Sequence, residues 1–240
     1  MNNELPKGMY FKESKCPVCD HNFKTVRLKS NSSALEKKDE DFCPYYKGLN
    51  PLHYEIIVCS ECAYAASEIA FGDLVEYELN ALRNAFKTRK VDRDYCGVRD
   101  WNDAIDSYKL ALLTATAKKA KPNVIAGICL KIAWLYREKK DKREMEFLTF
   151  SYENYRKTYE EENPPYANLS EMMLMYLLGE LARRLGLIED SAYWLGKAIR
   201  STERKDFPRI EELARDQFAT VRALMKISKT EKDKKINGKN

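Results

Sequence analysis

Cys16-Pro-Val-Cys19 and Cys59-Ser-Glu-Cys62 repeat one spacing across 39 intervening residues. A Cys-x-x-Cys turn aims two sulfurs at one point from a tight knuckle. Two knuckles face to face give the four-sulfur tetrahedral shell that zinc prefers. Pro17 presets the backbone of the first turn. Near Cys16 and Cys59 the chain has little apolar content, and a unit of about 70 residues of this kind needs a staple, which metal binding supplies as folding free energy.

The flanks are short and alternating. KTVRLKS and HYEIIVC place Val26 and Leu28, then Tyr54, Ile56 and Val58, on one face of a strand. Paired antiparallel with each other, these two strands would carry both knuckles to one end of a ribbon. The polar, turn-rich stretch SNSSALEKKDEDFCPYYKGLNP between them reads as an inserted loop.

Other uses of the cysteines fit less well. A thioredoxin-like pair needs a Cys-x-x-Cys opening a helix in a βαβ unit, and neither flank has that form. A catalytic zinc keeps a coordination position open, whereas four thiolates close the shell. His21 and His53 are placed on the surface or behind the ligands. Cys43, in DFCPYYKG, is a possible extra thiol for the site. Cys96 stands alone, and Cys129 in GICLKIAW reads as a small core residue. Seven cysteines in all, with no apolar signal segment and no run long enough to span a bilayer, lead to the expectation of a cytoplasmic protein without a disulfide framework.

From about residue 71 Gly and Pro become scarce and the apolar period turns helical. Leu74, Tyr77, Leu82 and Phe86 would dock a first helix against the cysteine-bearing segment. Three triads then repeat a 4-then-3 spacing: Ala104, Tyr108 and Ala111; Glu144, Leu148 and Ser151; Ser191, Leu195 and Ala198. In tetratricopeptide repeats this spacing marks the second helix of each hairpin. GICLKIAWLYRE and MYLLGELARRLG would be first helices, with Ala133 and Gly179 at close contacts. Glu144 departs from the small-residue pattern, and periodicity also allows an ordinary bundle. Pro164 and Pro165 break the helices, and Pro208 opens a last, capping helix.

CPVC, DFCPYYKGLNPLHYEIIVCSECAYAA, RDWNDAIDSYKLAL, KIAWLYREKKDKREMEFL and LLGELARRLG together resemble the bacterial domain-of-unknown-function family 2225 over nearly the whole chain. The resemblance implies a zinc-ribbon-like head, ligated by Cys16, Cys19, Cys59 and Cys62, on a tetratricopeptide-like body, and no assigned activity. Ala63 stands where ribbons often place Gly.

The expected fold is therefore mainly α. A small β zinc-ribbon-like domain at 1–70 precedes tetratricopeptide-like hairpins at 71–228 and a basic disordered tail at 229–240. One structural zinc is the expected cofactor. Helix stacks commonly grip a peptide or protein on a concave face. Alignment of the repeats points Trp134 and Arg137, then Tyr176, Glu180 and Arg183, into that face. Aromatics at helical spacing are more often core, and arginines more often solvated. No phosphate loop, nucleophile elbow or His-x-x-x-His is present, and only two histidines occur, so no enzyme is expected. Lys12, Lys15, Lys24, Arg27 and Lys29 motivate a nucleic-acid-binding alternative. Against it, residues 1–70 hold nine basic and ten acidic residues, a net −1, and much of the overall +5 sits in a tail with six lysines and two acids from Lys226 onward. A thiol redox sensor using Cys43 or a knuckle pair is the other alternative.

Overall fold

Alternation in the first thirty residues is satisfied locally. In a computed structural model describing residues 4–72, 74–87, 91, 93–164, 166 and 169–237, β1 (Met9–Lys15) pairs antiparallel with β2 (Asn22–Leu28), register Met9 to Leu28. The insert forms its own hairpin, β3 (Ser33–Lys38) with β4 (Pro44–Gly48), with a bulge between Leu35 and Lys37. β5 (Ile56–Val58) pairs with β6 (Ala65–Ser67). This corrects the expected ribbon, because β2 and β5 do not pair with each other. A hairpin closes its ends over a few residues, whereas pairing β2 to β5 would have to close a far longer loop.

The helices are α1 (Glu76–Phe86), α2 (Trp101–Ala117), α3 (Pro122–Glu138), α4 (Arg143–Glu161), α5 (Glu171–Arg184), α6 (Ile188–Ile199) and α7 (Pro208–Asn237). The fold of the described residues is thus mainly helical, with small antiparallel hairpins at the N-terminal end. Asp100 caps α2 by accepting from the Asp103 amide, 2.8 Å, while Asp103 accepts from the Asp100 amide, 3.0 Å. Ser170 caps α5 through the Met173 amide. α2, α3 and α5 end alike. Lys119, Lys140 and Gly186 adopt φ of 54°, 53° and 74°. In each case the next amide reaches back five residues: Ala120 to Ala115 (2.9 Å), Asp141 to Tyr136 (3.0 Å) and Leu187 to Ala182 (2.8 Å). These are Schellman closures, which satisfy the last helical carbonyls and turn the chain into the next helix. Of the segment 229–240, expected to be a basic disordered tail, residues up to Asn237 belong to α7, and 238–240 lie outside the described residues.

The chain divides into two compact units, 1–147 and 148–240. The division falls within α4, so the cysteine-bearing hairpins share a unit with α1, α2 and α3 rather than standing apart at residue 70. In the first unit, Cys16, Phe23, Cys59, Tyr64 and Phe71 pack in one core with Leu82, Phe86, Tyr108, Ile132 and Leu135. Leu82 and Phe86 of α1 dock as expected, but Tyr77 is exposed. The buried Arg99 donates to the carbonyls of His53, Ile56 and Tyr95, closing the backbone before β5. Burial lowers its pKa to about 10.

In the second unit α5 and α6 form an antiparallel pair whose contact centres on Gly179. A Cβ there would lie 2.6 Å from Cγ of Leu195, and the Ser191 hydroxyl donates to the Gly179 carbonyl at 2.7 Å. The expectation of a close contact at Gly179 therefore holds, and the structure shows Ser191 and Leu195 as the residues it meets. Ala104, Tyr108 and Ala111 on α2 are buried, as are Leu148 and Ser151, and Ser191, Leu195 and Ala198. Glu144 is only partly buried and pairs with Arg137, 2.7 Å.

Candidate metal centre

The β1–β2 and β5–β6 turns are the two knuckles, and they are built alike. In the first, the Cys16 amide donates to the His21 carbonyl (2.9 Å) and the Asp20 amide to the Cys16 carbonyl (2.9 Å). In the second, the Cys59 amide donates to Tyr64 (2.8 Å) and Ala63 to Cys59 (3.1 Å). Asp20 and Ala63 occupy the same place in each turn, at φ of 62° and 63°. This is the position where ribbons favour glycine, and here aspartate and alanine accept the left-handed backbone.

All four sulfurs lie within 4.8 Å of one another. Cys16 Sγ is 3.7 Å from Cys62 Sγ, and Cys19 Sγ is 3.6 Å from Cys59 Sγ. A zinc tetrahedron with Zn–S bonds of about 2.3 Å has S–S edges of about 3.8 Å, whereas a disulfide is about 2.05 Å long. The geometry therefore fits a metal shell and not a pair of bridges. Cys16, Cys59 and Cys62 are buried, while Cys19 is exposed. The Glu61 amide donates to Cys59 Sγ at 3.4 Å. Hydrogen bonds from Cys16 and then Cys62 hold Cys59 well below a normal thiol pKa. Cys16 is pushed up first by its bond to Cys59, and Cys62 first by its bond to Cys16.

Helices support the centre from behind. Arg83 of α1 donates through Nε to the Val18 carbonyl inside the first knuckle, 3.2 Å. Thr114 of α2 accepts from the Ala65 amide just after the second, 3.3 Å. Neither contact has a signal in the sequence beyond helical spacing. His21 is exposed, and His53 pairs with Glu138 at 3.1 Å, so neither belongs to the sulfur cluster. Cys43 is outside it too; it is buried on the insert, its amide donating to Asp41 at 3.4 Å. Cys129 is a buried core residue of α3, as its setting predicted.

The residues expected to face a partner are placed otherwise. Arg137 of α3 binds Asp41 through two contacts, 2.9 and 2.6 Å, and also Asp39, 2.9 Å, and Trp134 donates to Asp41 at 3.2 Å. This pair thus holds the chain's own insert. In the second unit Tyr176 and Glu180 are wholly buried, and Glu180 accepts from Arg183 and Arg184 at 2.7 Å each. Of these five residues Tyr176 and Glu180 are closed off from solvent, while Trp134, Arg137 and Arg183 stay partly exposed. The reason is physical: a tyrosine and a glutamate at these helical positions complete packing and an ion pair, which the repeat alignment alone does not register. The basic residues proposed for nucleic acid are also largely occupied. Lys12 and Arg27 pair with Glu68, Lys15 with Asp20 at 3.1 Å, and Lys24 with Glu13 at 3.3 Å.

Two hairpin-borne cysteine pairs set on α-helices define the class: a mainly helical protein with a four-cysteine centre able to hold a metal ion. The chain belongs to the family described as an uncharacterized protein conserved in bacteria, domain of unknown function 2225, which it matches over residues 9–221. No curated protein and no solved structure matches the chain. Among the described residues no helix is long and apolar enough to cross a membrane.

Proposed function

We propose that this is a non-catalytic, cytoplasmic adaptor in which Cys16, Cys19, Cys59 and Cys62 hold one structural zinc and the helical body binds a protein partner. The carrying observation is the sulfur quartet, whose 3.6 and 3.7 Å contacts match the edges of a zinc tetrahedron. Four thiolates leave no open position for a substrate or water, which supports a structural rather than a catalytic role. The α5–α6 pair, closed at Gly179 and Ser191, supports reading the body as degenerate tetratricopeptide-like hairpins. The partner would use a surface other than the buried Tyr176 and Glu180.

The adaptor reading is favoured over nucleic-acid binding because four of the five candidate cations already pair with carboxylates, and four thiolates on a divalent ion would add about −2 to the same segment. Elemental analysis of protein purified without added metal tests the first half. The expected result is one zinc per chain, reduced in Cys59→Ser and Cys62→Ser variants; a metal-free, folded wild type would sink it. Partner capture from nuclease-treated lysate tests the second half, with mixed-sequence DNA and RNA offered in parallel at low salt.

A further inference from the structure

We propose that a cavity between β4 and α3 is a binding site for an ammonium group, presented by a free alkylamine or by a lysine side chain. The space measures about 260 Å3, and its lining includes Tyr45, Tyr46, Leu52, Trp134, Glu36 and Glu138. No lysine, arginine or histidine is among the described residues that line it. A cavity below about 300 Å3 is too small for a nucleotide or drug-sized cofactor and suits a group the size of one side chain.

The local backbone is built for this. Consecutive strand residues normally face opposite sides of a sheet, yet Tyr45 and Tyr46 both line the cavity. The ladder is irregular here: Leu35 pairs with Tyr46 and Lys37 with Tyr45, which leaves Glu36 of β3 as the extra, bulged residue. A bulge increases the local twist and re-aims side chains, and such features recur beside binding sites. Here the bulged residue, Glu36, lines the same space as Tyr45 and Tyr46.

The chemistry selects a cation. Aromatic faces carry negative quadrupoles that attract ammonium groups, most strongly where carboxylates stand nearby. The Tyr45 ring already shows this preference, with the chain's own Lys37 ammonium 4.3 Å from its centroid. Trp134 is held in place by its hydrogen bond to Asp41, 3.2 Å. Glu138 is kept ionised by His53 first, and also by Asn50. An anion would meet Glu36 and Glu138 with no basic residue among the described lining residues, and a neutral apolar group would gain nothing from Glu36.

The test is calorimetric titration of the metal-loaded full chain with n-butylammonium and with an acetylated, amidated tripeptide centred on lysine, with butyrate as the charge-reversed probe. Two-dimensional NMR follows the Trp134 indole N–H resonance. Saturable binding of either cationic probe is expected, with Glu36→Gln weakening it by about tenfold or more, the scale of one charge-assisted contact. Tyr46→Leu, which removes one aromatic wall, should weaken it as well. Tighter binding of butylammonium would identify a small amine as the natural occupant, and tighter binding of the tripeptide a partner's lysine. Absence of saturable binding of both cations up to about 10 mM, equal binding of butyrate, or unchanged affinity in Glu36→Gln with metal content and helicity intact would each overturn the proposal.

Discussion

Arg137 grips Asp41 with two nitrogens, 2.9 and 2.6 Å from its two oxygens, across 96 residues of sequence. Asp41 is fully buried and the arginine side chain is 12% exposed, so the pair is largely removed from water. Burial works against the guanidinium charge, but hydrogen bonds and charge from Asp41 and then Glu144 raise its pKa. The contact fastens the β3–β4 insert to α3.

Asp41→Ala should therefore cost about 2–4 kcal/mol, because it leaves a buried guanidinium with only Asp39 and Glu144 as acidic partners. Pairing the two positions as Asp41→Leu with Arg137→Met should recover much of that loss, since a buried ion pair often does no better than apolar groups of similar size. Urea denaturation of the single and double variants measures the coupling. Additive losses would show that the two side chains act independently.

Two glycines give opposite tests of the second unit. Gly179→Ala forces a methyl to within 2.6 Å of Leu195 Cγ and 3.1 Å of its amide nitrogen, and should destabilise by about 1–3 kcal/mol as α5 and α6 move apart. Gly186→Ala meets no atom within 4 Å but sits at φ +74°, so its cost should be about 1 kcal/mol of backbone strain. Denaturation midpoints at constant slope distinguish them, and crystallography of the first should show a widened helix pair.

The other two Schellman turns invite the reverse change. Lys119 and Lys140 are exposed and hold φ of 54° and 53°. Replacing either by glycine should raise stability by about 0.5–1 kcal/mol, the relief of left-handed strain less the entropy glycine adds to the unfolded chain. A loss of stability instead would show that the lysine stems contribute packing.

Metal affinity should depend on pH in a fixed direction. Cys16 and Cys62 have raised pKa values, so both are protonated near neutrality before metal arrives, and loading must expel those protons. Affinity then rises with pH and falls as pH drops, by about tenfold per unit for each proton released. Competition against a coloured chelator at several pH values, with proton release followed in parallel, gives the slope. A flat profile would mean that the thiols are already ionised.

Chelation should also act unevenly along the chain. The quartet lies in the core that contains Phe23, Tyr64, Leu82, Tyr108 and Leu135, so metal removal should lower protection of β1, β2, β5, β6 and α1 in hydrogen exchange. Protection of α5 and α6, which close on each other at Gly179, should persist.

Much of this arrangement could be read in advance, and the rest fails for definable reasons. The clustering of the four cysteines follows from spacing alone, because Cys-x-x-Cys is a local geometric statement. Gly179 is likewise visible, since a small residue facing a 4-then-3 triad has few other uses. Strand pairing is not: alternation marks Val26, Ile56 and Val58 as strand residues but carries no information about which strand lies beside them. The fate of Arg137 is hidden for a related reason, because its partner Asp41 sits in an acidic run that looks solvated until the insert folds back on α3. Tyr176 and Glu180 show that a repeat's alignment gives the direction of a side chain without saying what else occupies that space.

The knuckles are also separated in time. Cys19 and Cys59 lie 40 residues apart, and the helices that cover them, through Leu135, come later still. At about 5–20 residues per second, a nascent chain exposes Cys16 and Cys19 for seconds before their counterparts exist. Under the proposed metal centre, an ion captured then would be held by half its shell. Commitment to the finished centre would come only when the β5–β6 hairpin emerges, so the last segment made of this quartet would decide whether the metal stays.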